Sequence, residues 1–285
     1  IMLVFFAESA TTGRTFIGLA PAFGLDAETR EGTRFVGPLT AIWFAVFMVP
    51  FFLYVREPRP KPAPPHVVAS ALRGLGRTLR SLPQRPSLFA YLTSSMFYRD
   101  ALNGMYTFGG IYAAGVLGWS VVDTGIFGIL AIISGALFAW LGGRVDTALG
   151  PKPVITTSLI VLTIVAILVV FVSPTSVFGV PVAEGSALPN VSFYILGAVI
   201  GAAGGTLQAS SRSMMVRQAD ANRMTEGFGL YALAGKATSF LAPLLIGIVT
   251  AATGSQQLGV TPLIALFLIG LALLWWVDPD GDPAT

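Results

Sequence analysis

The sequence predicts an all-α protein that crosses a lipid bilayer several times. Hydrophobic residues make up 54% of its 285 residues, and charged residues make up only 11%. A soluble domain carries about 25% charged residues, so this chain has too few of them to cover a surface that faces water. The second observation is a series of long apolar stretches, and the third is the regular placement of Lys and Arg between them.

Seven apolar stretches are long enough to cross a bilayer, which takes about 20 helical residues. The first covers residues 35–55, with Arg34 and Arg56 on either side and no charge between them. The other six cover residues 88–118, 124–143, 154–173, 191–215, 228–253 and 261–277. An apolar stub at the start of the chain (IMLVFF) is too short to cross, and we interpret it as the remnant of a further span.

The positions of Lys and Arg predict the orientation of these spans, because basic loops stay on the cytoplasmic side. Basic residues lie in the loop after the first span, in the loop after the third span and in the loop after the fifth span. The loops around Gly118, at 174–190 and at 254–260 contain no Lys or Arg. The spans therefore alternate, with the basic loops and the C-terminus in the cytoplasm.

The longest basic loop, residues 56–87, begins with a stiff and extended proline-rich spacer (REPRPKPAPP). A short amphipathic helix follows, suited to the surface of an anionic leaflet. Its apolar face consists of Val68, Leu72, Leu75, Leu79 and Leu82, and its basic face of Arg73, Arg77 and Arg80. We interpret the loop as a tether between two helical bundles, and a regulatory or partner-binding role is the alternative.

Two spans carry ionisable residues far from their ends. Arg99 and Asp100 lie in the second span, and Lys236 lies in the sixth. Such a residue costs at least about 2.5–3.5 kcal/mol at the bilayer centre and usually faces a partner or a water-filled cavity. Pro243, shortly after Lys236, permits a kink in the sixth span.

These residues are the candidate substrate and proton site. Asp100 is the candidate for handling a proton or an ammonium group, and Lys236 for pairing with Asp100 or with a substrate carboxylate. Arg99 lies beside Asp100 and could either extend to the headgroups or pair with a carboxylate on another helix. Three polar residues would orient the ligand by hydrogen bonds: Asn103, Tyr106 and Gln208. The alternative is that the charged side chains reach the headgroups and have no functional role.

The fifth span contains a row of small residues that lets another helix approach closely. Gly197, Gly201 and Gly205 form a GxxxGxxxG face. Gln208 and Arg212 continue along one side of this helix towards the cytoplasm, and Glu226 begins the next span at the same end. No arrangement of nucleophile and base or of metal ligands is visible, so we expect neither an enzyme nor a cofactor.

The loop GGRVDTALGPKPV resembles the Gly-x-x-x-Asp…Gly-x-Lys signature that major facilitator transporters place between paired spans. Thr147 stands where the signature usually has a basic residue. The resemblance implies a tight turn between antiparallel helices that forms a cytoplasmic gating motif. Its residues here are Gly142, Arg144, Asp146, Gly150 and Lys152.

Three longer stretches resemble the vacuole effluxer-like family of that superfamily: FYRDALNGMYTFGGIYAAGVLGWS, GGTLQASSRSMM and EGFGLYALAGKATSFLAP. The resemblance implies twelve spans in two six-helix bundles, of which this chain has the sixth span onward and a remnant of the fifth. The sequence departs from the family at Ala101, Gly227 and Ala242, where Gly, Phe and Gly are usual. Gly227 is expected to loosen the start of the eleventh span.

With this resemblance the chain divides into five parts. Residues 1–34 are a span remnant and a non-cytoplasmic loop, and 35–55 are the last span of the N-terminal bundle. A cytoplasmic linker (56–87) leads to the C-terminal six-helix bundle (88–278), and 279–285 form a cytoplasmic tail.

The predicted function is secondary active transport of a small solute by alternating access, coupled to protons and in the direction of efflux. Amino acids are the candidate solutes. A multi-pass scaffold or sensor that transports nothing is the alternative. The expected partners are the solute, membrane lipids and the missing N-terminal bundle, without nucleic acid. The expected location is the cytoplasmic membrane of a bacterium.

Overall fold

The computed structural model describes residue 6 and residues 13–15, 17–26, 29, 31–55, 67–220 and 223–282, without the side chains of residues 33, 67–72 and 75. The helices are α1 (Glu31–Arg34), α2 (Val36–Tyr54), α3 (Val67–Ser81), α4 (Pro86–Val116), α5 (Val121–Leu149), α6 (Pro151–Val170), α7 (Leu188–Gln218), α8 (Met224–Ala237), α9 (Leu241–Thr253), α10 (Gln256–Gly259) and α11 (Pro262–Leu274). The strands are β1 (Val172–Ser173), β2 (Ser176–Val177) and β3 (Val180–Pro181).

The chain divides into two compact units. The first unit contains residues 1–74 and 120–125, and the second contains residues 75–119 and 126–285. In the first unit, the rings of Phe6, Phe23 and Phe35 contact one another with centroids 4.9–6.1 Å apart, next to the start of α2. Helix α2 is apolar along its whole length and none of its residues is buried, as expected for a helix that faces lipid or another helix.

The predicted helix of the basic loop is present as α3. Among the described side chains of its two predicted faces, Leu82, just after α3, is buried, but Leu79 of the apolar face is exposed. Three arginines of the basic face are exposed as well: Arg73, Arg77 and Arg80. Arg56 and His66 lie outside the described residues, as do the other residues of 56–66.

The second unit is a bundle whose helices alternate in direction, and contacts at its two ends establish the alternation. One end, which we name the basic end, brings together the start of α4, the turn after α5, the end of α7 and the segment after α11. Ser87 Oγ donates to Gln218 Oε1 at 2.7 Å, and Lys152 Nζ donates to the carbonyl of Val277 at 2.6 Å. The predicted alternation of the last six spans is therefore confirmed.

The segment after α11 also caps α4. The first turn of a helix has backbone N–H groups without partners inside the helix, and a carboxylate satisfies them well. The N–H groups of Ser87 and Leu88 donate to the two carboxylate oxygens of Asp282, at 2.9 and 3.0 Å. This contact between the predicted tail and the first span of the bundle was not predicted from the sequence.

The opposite end of the second unit is held by aromatic side chains. The Tyr112 hydroxyl donates to the carbonyls of Val169 and Val172, and Trp119 Nε1 donates to Asn190 Oδ1 at 2.7 Å. Just beyond α6, strands β1, β2 and β3 form a small antiparallel sheet that the sequence did not predict. The turn between β2 and β3 has positive φ at Phe178 and Gly179, the handedness that tight hairpin turns require.

The core of the second unit lies between α4, α6, α7 and α11. Glycine permits a close approach of α4 and α11, because a Cβ on Gly270 would lie 3.0 Å from Tyr98 Cβ. At the same crossing Ser94 Oγ donates to the Gly270 carbonyl at 2.6 Å. Hydroxyl groups on an apolar helix thus find backbone partners on its neighbour, as lipid-embedded helices require.

Helix α7 packs on α5 through the predicted glycine face. A Cβ on Gly201 would lie 2.0 Å from the carbonyl oxygen of Ala131, and a Cβ on Gly205 would lie 2.5 Å from that of Gly135. At Gly197 the space is filled by the ring of Phe127. The two backbones touch, so the prediction that this face admits another helix is confirmed.

Six stretches of the described chain are long and apolar enough to cross a membrane: α2, α5, α6, α7, α8 with α9, and α10 with α11. Helix α4 is long enough at 31 residues, but its polar residues keep it out of this set. The predicted class, an all-α membrane protein with a major facilitator-type bundle, is confirmed. The second predicted span is the polar exception among them.

Candidate functional site

The sixth predicted span is broken in its middle. Helix α8 ends at Ala237 and α9 begins at Leu241. Ser239 donates from both its backbone N–H and its hydroxyl to the Lys236 carbonyl, and this closes the end of α8. Pro243 lies in the first turn of α9, where a helix tolerates a missing N–H, and it leaves the carbonyl of Ser239 without its usual helical donor.

Asp100 of α4 caps the new helix start. Its Oδ2 accepts a 2.8 Å hydrogen bond from the backbone N–H of Ala242, in the first turn of α9. The approach is possible because Gly104, one turn further along α4, has no side chain: a Cβ there would lie 2.9 Å from Ala242 Cβ. A negative charge at a helix N-terminus is favourable because the unpaired N–H groups carry partial positive charge.

The second oxygen of the same carboxylate has no partner. Asp100 is 1% exposed, and its Oδ1 is buried without a hydrogen bond to any described residue. Thr238 Oγ1, which lies in the break between α8 and α9, is also buried without a hydrogen-bond partner among the described residues. Buried polar atoms are nearly always paired, so each of these two oxygens is an unused hydrogen-bond acceptor within the described chain.

Arg99, the residue before Asp100, contacts α8 and not α9. Its Nη1 donates 2.7 Å to the carbonyl of Tyr231 in α8, and its guanidinium carbon lies 4.1 Å from the centre of the Tyr231 ring. Gly235 follows one turn later, and a Cβ there would lie 2.3 Å from the same guanidinium carbon. Adjacent charged residues on α4 therefore hold the two halves of the broken span, Arg99 the first half and Asp100 the second.

A buried hydroxyl network lies next to Arg99, and sequence reasoning missed it. The Tyr91 hydroxyl donates to the Ser211 carbonyl, and the Tyr98 hydroxyl lies 2.9 Å from Ser211 Oγ. The Tyr91 ring stacks on Tyr231 with a centroid distance of 6.1 Å. The available signal was the spacing of Tyr91 and Tyr98, seven residues apart on one face of α4, in register with the serines of the GGTLQASSRSMM stretch.

The predicted polar stripe on α4 divides in the structure. Asp100 and Gly104 face α9, whereas Asn103 and Thr107 are exposed. Tyr106 is 40% exposed, and its hydroxyl interacts with the side chain of Gln208 on α7. Gly204 makes room for that hydroxyl, which would lie 2.1 Å from a Cβ at this position. Three predicted ligand residues thus form one exposed polar face on α4 and α7.

Lys236 forms no salt bridge with Asp100 in the described part of the chain. It lies in the last turn of α8 with an exposed side chain, and within the described part of the chain its ammonium group forms no ion pair. The Asp100 carboxylate is occupied instead by the N–H of Ala242. The break between α8 and α9 separates these two residues, and the sequence alone gave no position for it.

The motif loop forms the predicted tight turn. Gly150 is the single residue between α5 and α6, with φ +83°, which favours glycine. Gly142 packs on Thr206 of α7, and Lys152 donates to the Trp275 and Val277 carbonyls at the end of α11. Arg144 lies over the ring of Trp140, with its guanidinium carbon 3.8 Å from the centre.

The remaining predicted residues lie at the basic end. Asp146 is 8% exposed, and its carbonyl accepts the Gly150 N–H at 2.8 Å. Arg212 is exposed on α7. Glu226 Oε2 pairs with Arg223 Nε at 3.2 Å, a contact within the first turn of α8.

A cavity of about 640 Å³ lies between α5, α6 and α7, away from the polar face. Its lining is mostly apolar and includes Phe138, Val154 and Ile195. Gly142 belongs to it, but none of the predicted ligand residues does.

The helices, the broken span and the polar face together define an integral multi-pass membrane protein built as a helical bundle, with ionisable residues inside it. The sequence model of the vacuole effluxer Atg22-like family matches residues 10–281. The chain belongs to this family, and the resemblance seen in its motifs is confirmed.

Individual relatives agree with the family match. An uncharacterized MFS-type transporter of Bacillus subtilis (strain 168), YxiO, is 26% identical over 242 residues, which cover 85% of this chain and 53% of YxiO. Autophagy-related protein 22 of Cryptococcus neoformans var. neoformans is 24% identical over 269 residues, covering 90% of this chain and 46% of the relative. Autophagy-related protein 22 of Coccidioides immitis is 24% identical over 271 residues, covering 88% and 44%.

These relatives are described as transporters or belong to an effluxer family, and not to a family of enzymes, as the sequence predicted. The chain spans about half the length of the relatives that it matches. Two of the noted departures from the family now have a structural context. Ala242 is fully buried where it meets Gly104, and Gly227 is buried against Ala219 and Met215 in the first turn of α8, which begins at Met224. The loosening expected from Gly227 stays a prediction.

Proposed function

We propose that this chain is the C-terminal bundle of a secondary active transporter that moves a small solute by alternating access. The supporting observation is the broken span, whose second half starts inside the bundle with a carboxylate from α4 at its first turn. Discontinuous helices of this kind form ion and substrate sites in secondary transporters, near the midplane and between two repeats. The family membership supports the same reading.

Two bundles are needed for alternating access, and the relatives are about twice as long as this chain. We infer that the exposed polar face of Asn103, Tyr106 and Gln208 lies opposite an N-terminal bundle, to which α2 belongs and which residues 56–87 connect to this one. In one orientation of the bundles this face would be open to the cytoplasm, and in the other to the opposite side.

The proton is the proposed coupling ion, and Asp100 is its proposed carrier. The charged form of Asp100 is stabilised by the Ala242 N–H and the start of α9. A proton on the unpartnered Oδ1 would remove that charge and weaken the hold of α4 on α9. Proton uptake would then change the angle between α8 and α9, and this links the ion to the movement.

The proposed solute is an amino acid, and the proposed direction is efflux. A zwitterion has one charge of each sign, and the region offers cationic groups, Arg99 and Lys236, together with polar groups for hydrogen bonds. The basic loops favour a cytoplasmic C-terminus, and a bacterial cytoplasmic membrane is the proposed location. The gating role of the loop at Gly142–Lys152 is part of the same proposal.

The test uses the full-length protein in proteoliposomes with an imposed pH gradient. A panel of radiolabelled amino acids is screened for gradient-dependent movement, in the wild type and in Asp100→Asn. The wild type should move at least one of them, and the variant should lose gradient-driven movement by a factor of about 100 or more while it still reaches the membrane. If the wild type moves none of these amino acids, the amino-acid transport proposal is refuted, and full activity in Asp100→Asn would remove Asp100 from the mechanism.

A further inference from the structure

Arg99 is held in a seat that α8 provides. The carbonyl of Tyr231 accepts a 2.7 Å hydrogen bond from Nη1, and the ring of the same residue lies under the guanidinium at 4.1 Å. Gly235 completes the seat, because its missing side chain leaves the space that the guanidinium occupies. The position of this cation is therefore fixed by three separate contacts on one helix.

The seat fixes the guanidinium but does not neutralise it. No carboxylate of the described residues lies within ion-pair distance of Arg99, and its neighbour Asp100 is directed to the Ala242 N–H. A guanidinium has five N–H donors, and within the described chain only Nη1 has an acceptor. A half-buried cation near the middle of α4 therefore keeps its charge and several N–H donors available for an anionic partner.

We propose that Arg99, seated on Tyr231 and Gly235, binds the carboxylate of the transported solute. This assignment rests on the proposed function and names the group of the solute that the site recognises. The planar guanidinium matches a carboxylate in a two-point pair, which the ammonium of Lys236 cannot form. Lys236 is also exposed and has no fixed contact of this kind, so Arg99 is the better defined of the two cations.

The neighbours of Arg99 fit this role. Asn103 lies one turn further along α4 on the same side and is exposed, so its amide can reach the remainder of a solute bound at Arg99. The N–H groups of the guanidinium that do not donate to Tyr231 are the ones available to a solute. The other possible occupant is an acidic side chain of the N-terminal bundle, and the experiment below distinguishes the two.

The test measures binding, so it does not depend on transport. Purified full-length protein is heated with a panel of amino acids, each presented as the free acid and as its α-carboxamide, and the shift of the unfolding midpoint is converted to an affinity. At least one free acid should bind about 10- to 100-fold more tightly than its carboxamide, the loss expected when a charged hydrogen-bonding pair is removed. Arg99→Gln should abolish this preference.

A matched pair of glycine variants tests the seat. In Gly235→Ala the new Cβ would displace the guanidinium while the charge stays, so this variant should also lose most of the preference for the free acid. Gly229→Ala is on the same helix with no atom within 4 Å of its Cβ, and it should keep the preference. A merely structural role of Gly235 would lower the unfolding midpoint without ligand and leave the ratio of affinities unchanged.

Two results would overturn the proposal. One is equal binding of free acids and carboxamides by the wild type, including the case in which neither binds. The other is an unchanged preference in Arg99→Gln. If the wild type shows the preference but moves nothing across the membrane, the carboxylate site stands and the transport function fails. If Arg99→Gln lowers only the ligand-free midpoint, an acid of the N-terminal bundle is the partner of Arg99.

Discussion

At the scale of single residues, Asp100 has two properties that its sequence position could not separate. It is an acceptor for the first turn of α9, and it is an acid with one free oxygen. Asn retains an oxygen that can accept from the Ala242 N–H, but it has neither the charge nor the proton. Ala retains none of these. Comparing the two substitutions therefore separates helix capping from proton handling.

Asp100→Ala should lower the free energy of unfolding by about 1–2 kcal/mol, the usual cost of a lost cap at a helix N-terminus. Asp100→Asn should cost less than half of that, because the hydrogen bond to Ala242 is kept. The measurement is thermal unfolding of the full-length protein in detergent. Equal losses in the two variants would show that the charge, and not the capping bond, holds α4 to α9.

The contact of α5 and α7 gives a second prediction for single residues. In Gly201→Ala the Cβ would lie 2.0 Å from a backbone oxygen of Ala131, which cannot rotate away. We expect a loss of about 1–3 kcal/mol in the free energy of unfolding, the range for overpacked sites. Gly128→Ala on α5 is the control, since no atom lies within 4 Å of its Cβ. A stable Gly201→Ala protein would mean that the two helices separate easily.

At the scale of elements, the broken span shows what the sequence could and could not predict. Pro243 indicated that this span could kink, and the helix is indeed interrupted shortly before the proline, at Thr238–Phe240. The sequence could not show that the break begins several residues before the proline, because Asp100 is distant in the chain and fixes the start of α9 from another helix. Local signals thus indicated an interruption, and a tertiary contact positioned it.

The proline contribution can be measured separately. Pro243→Ala restores an N–H that can reach the Ser239 carbonyl, a bond worth about 0.5–1.5 kcal/mol. The variant should unfold at a higher temperature, and gradient-driven transport should fall several-fold, because a more continuous span is harder to bend. Pro262→Ala, at the first position of α11 and away from any break, should leave transport unchanged. Unchanged transport in Pro243→Ala would leave the Asp100 contact as the sole cause of the break.

At the scale of the whole molecule, the features that could be predicted from the sequence are those that the lipid bilayer imposes as a solvent. The lengths and the alternation of the spans follow from what a bilayer tolerates, and they were confirmed in the second unit. The pairing of charged residues followed no such rule. Arg99 and Asp100 are neighbours in the chain, yet they contact different parts of the broken span, α8 and α9, and Lys236 forms no ion pair with Asp100 in the described chain. Only packing in three dimensions selects these partners.

The orientation of the bundle is the last prediction. The chain has no cysteine of its own, so each introduced cysteine is the only one within it, and the unsubstituted full-length protein serves as the labelling control. Glu184, in the loop without Lys or Arg before α7, and Thr225, at the start of α8 at the basic end, are both exposed. In intact cells a membrane-impermeant maleimide should label Glu184→Cys and not Thr225→Cys, and lysis should make both reactive. Because basic loops remain in the cytoplasm, the reverse pattern would invert the bundle and, with it, the side from which Asp100 receives its proton.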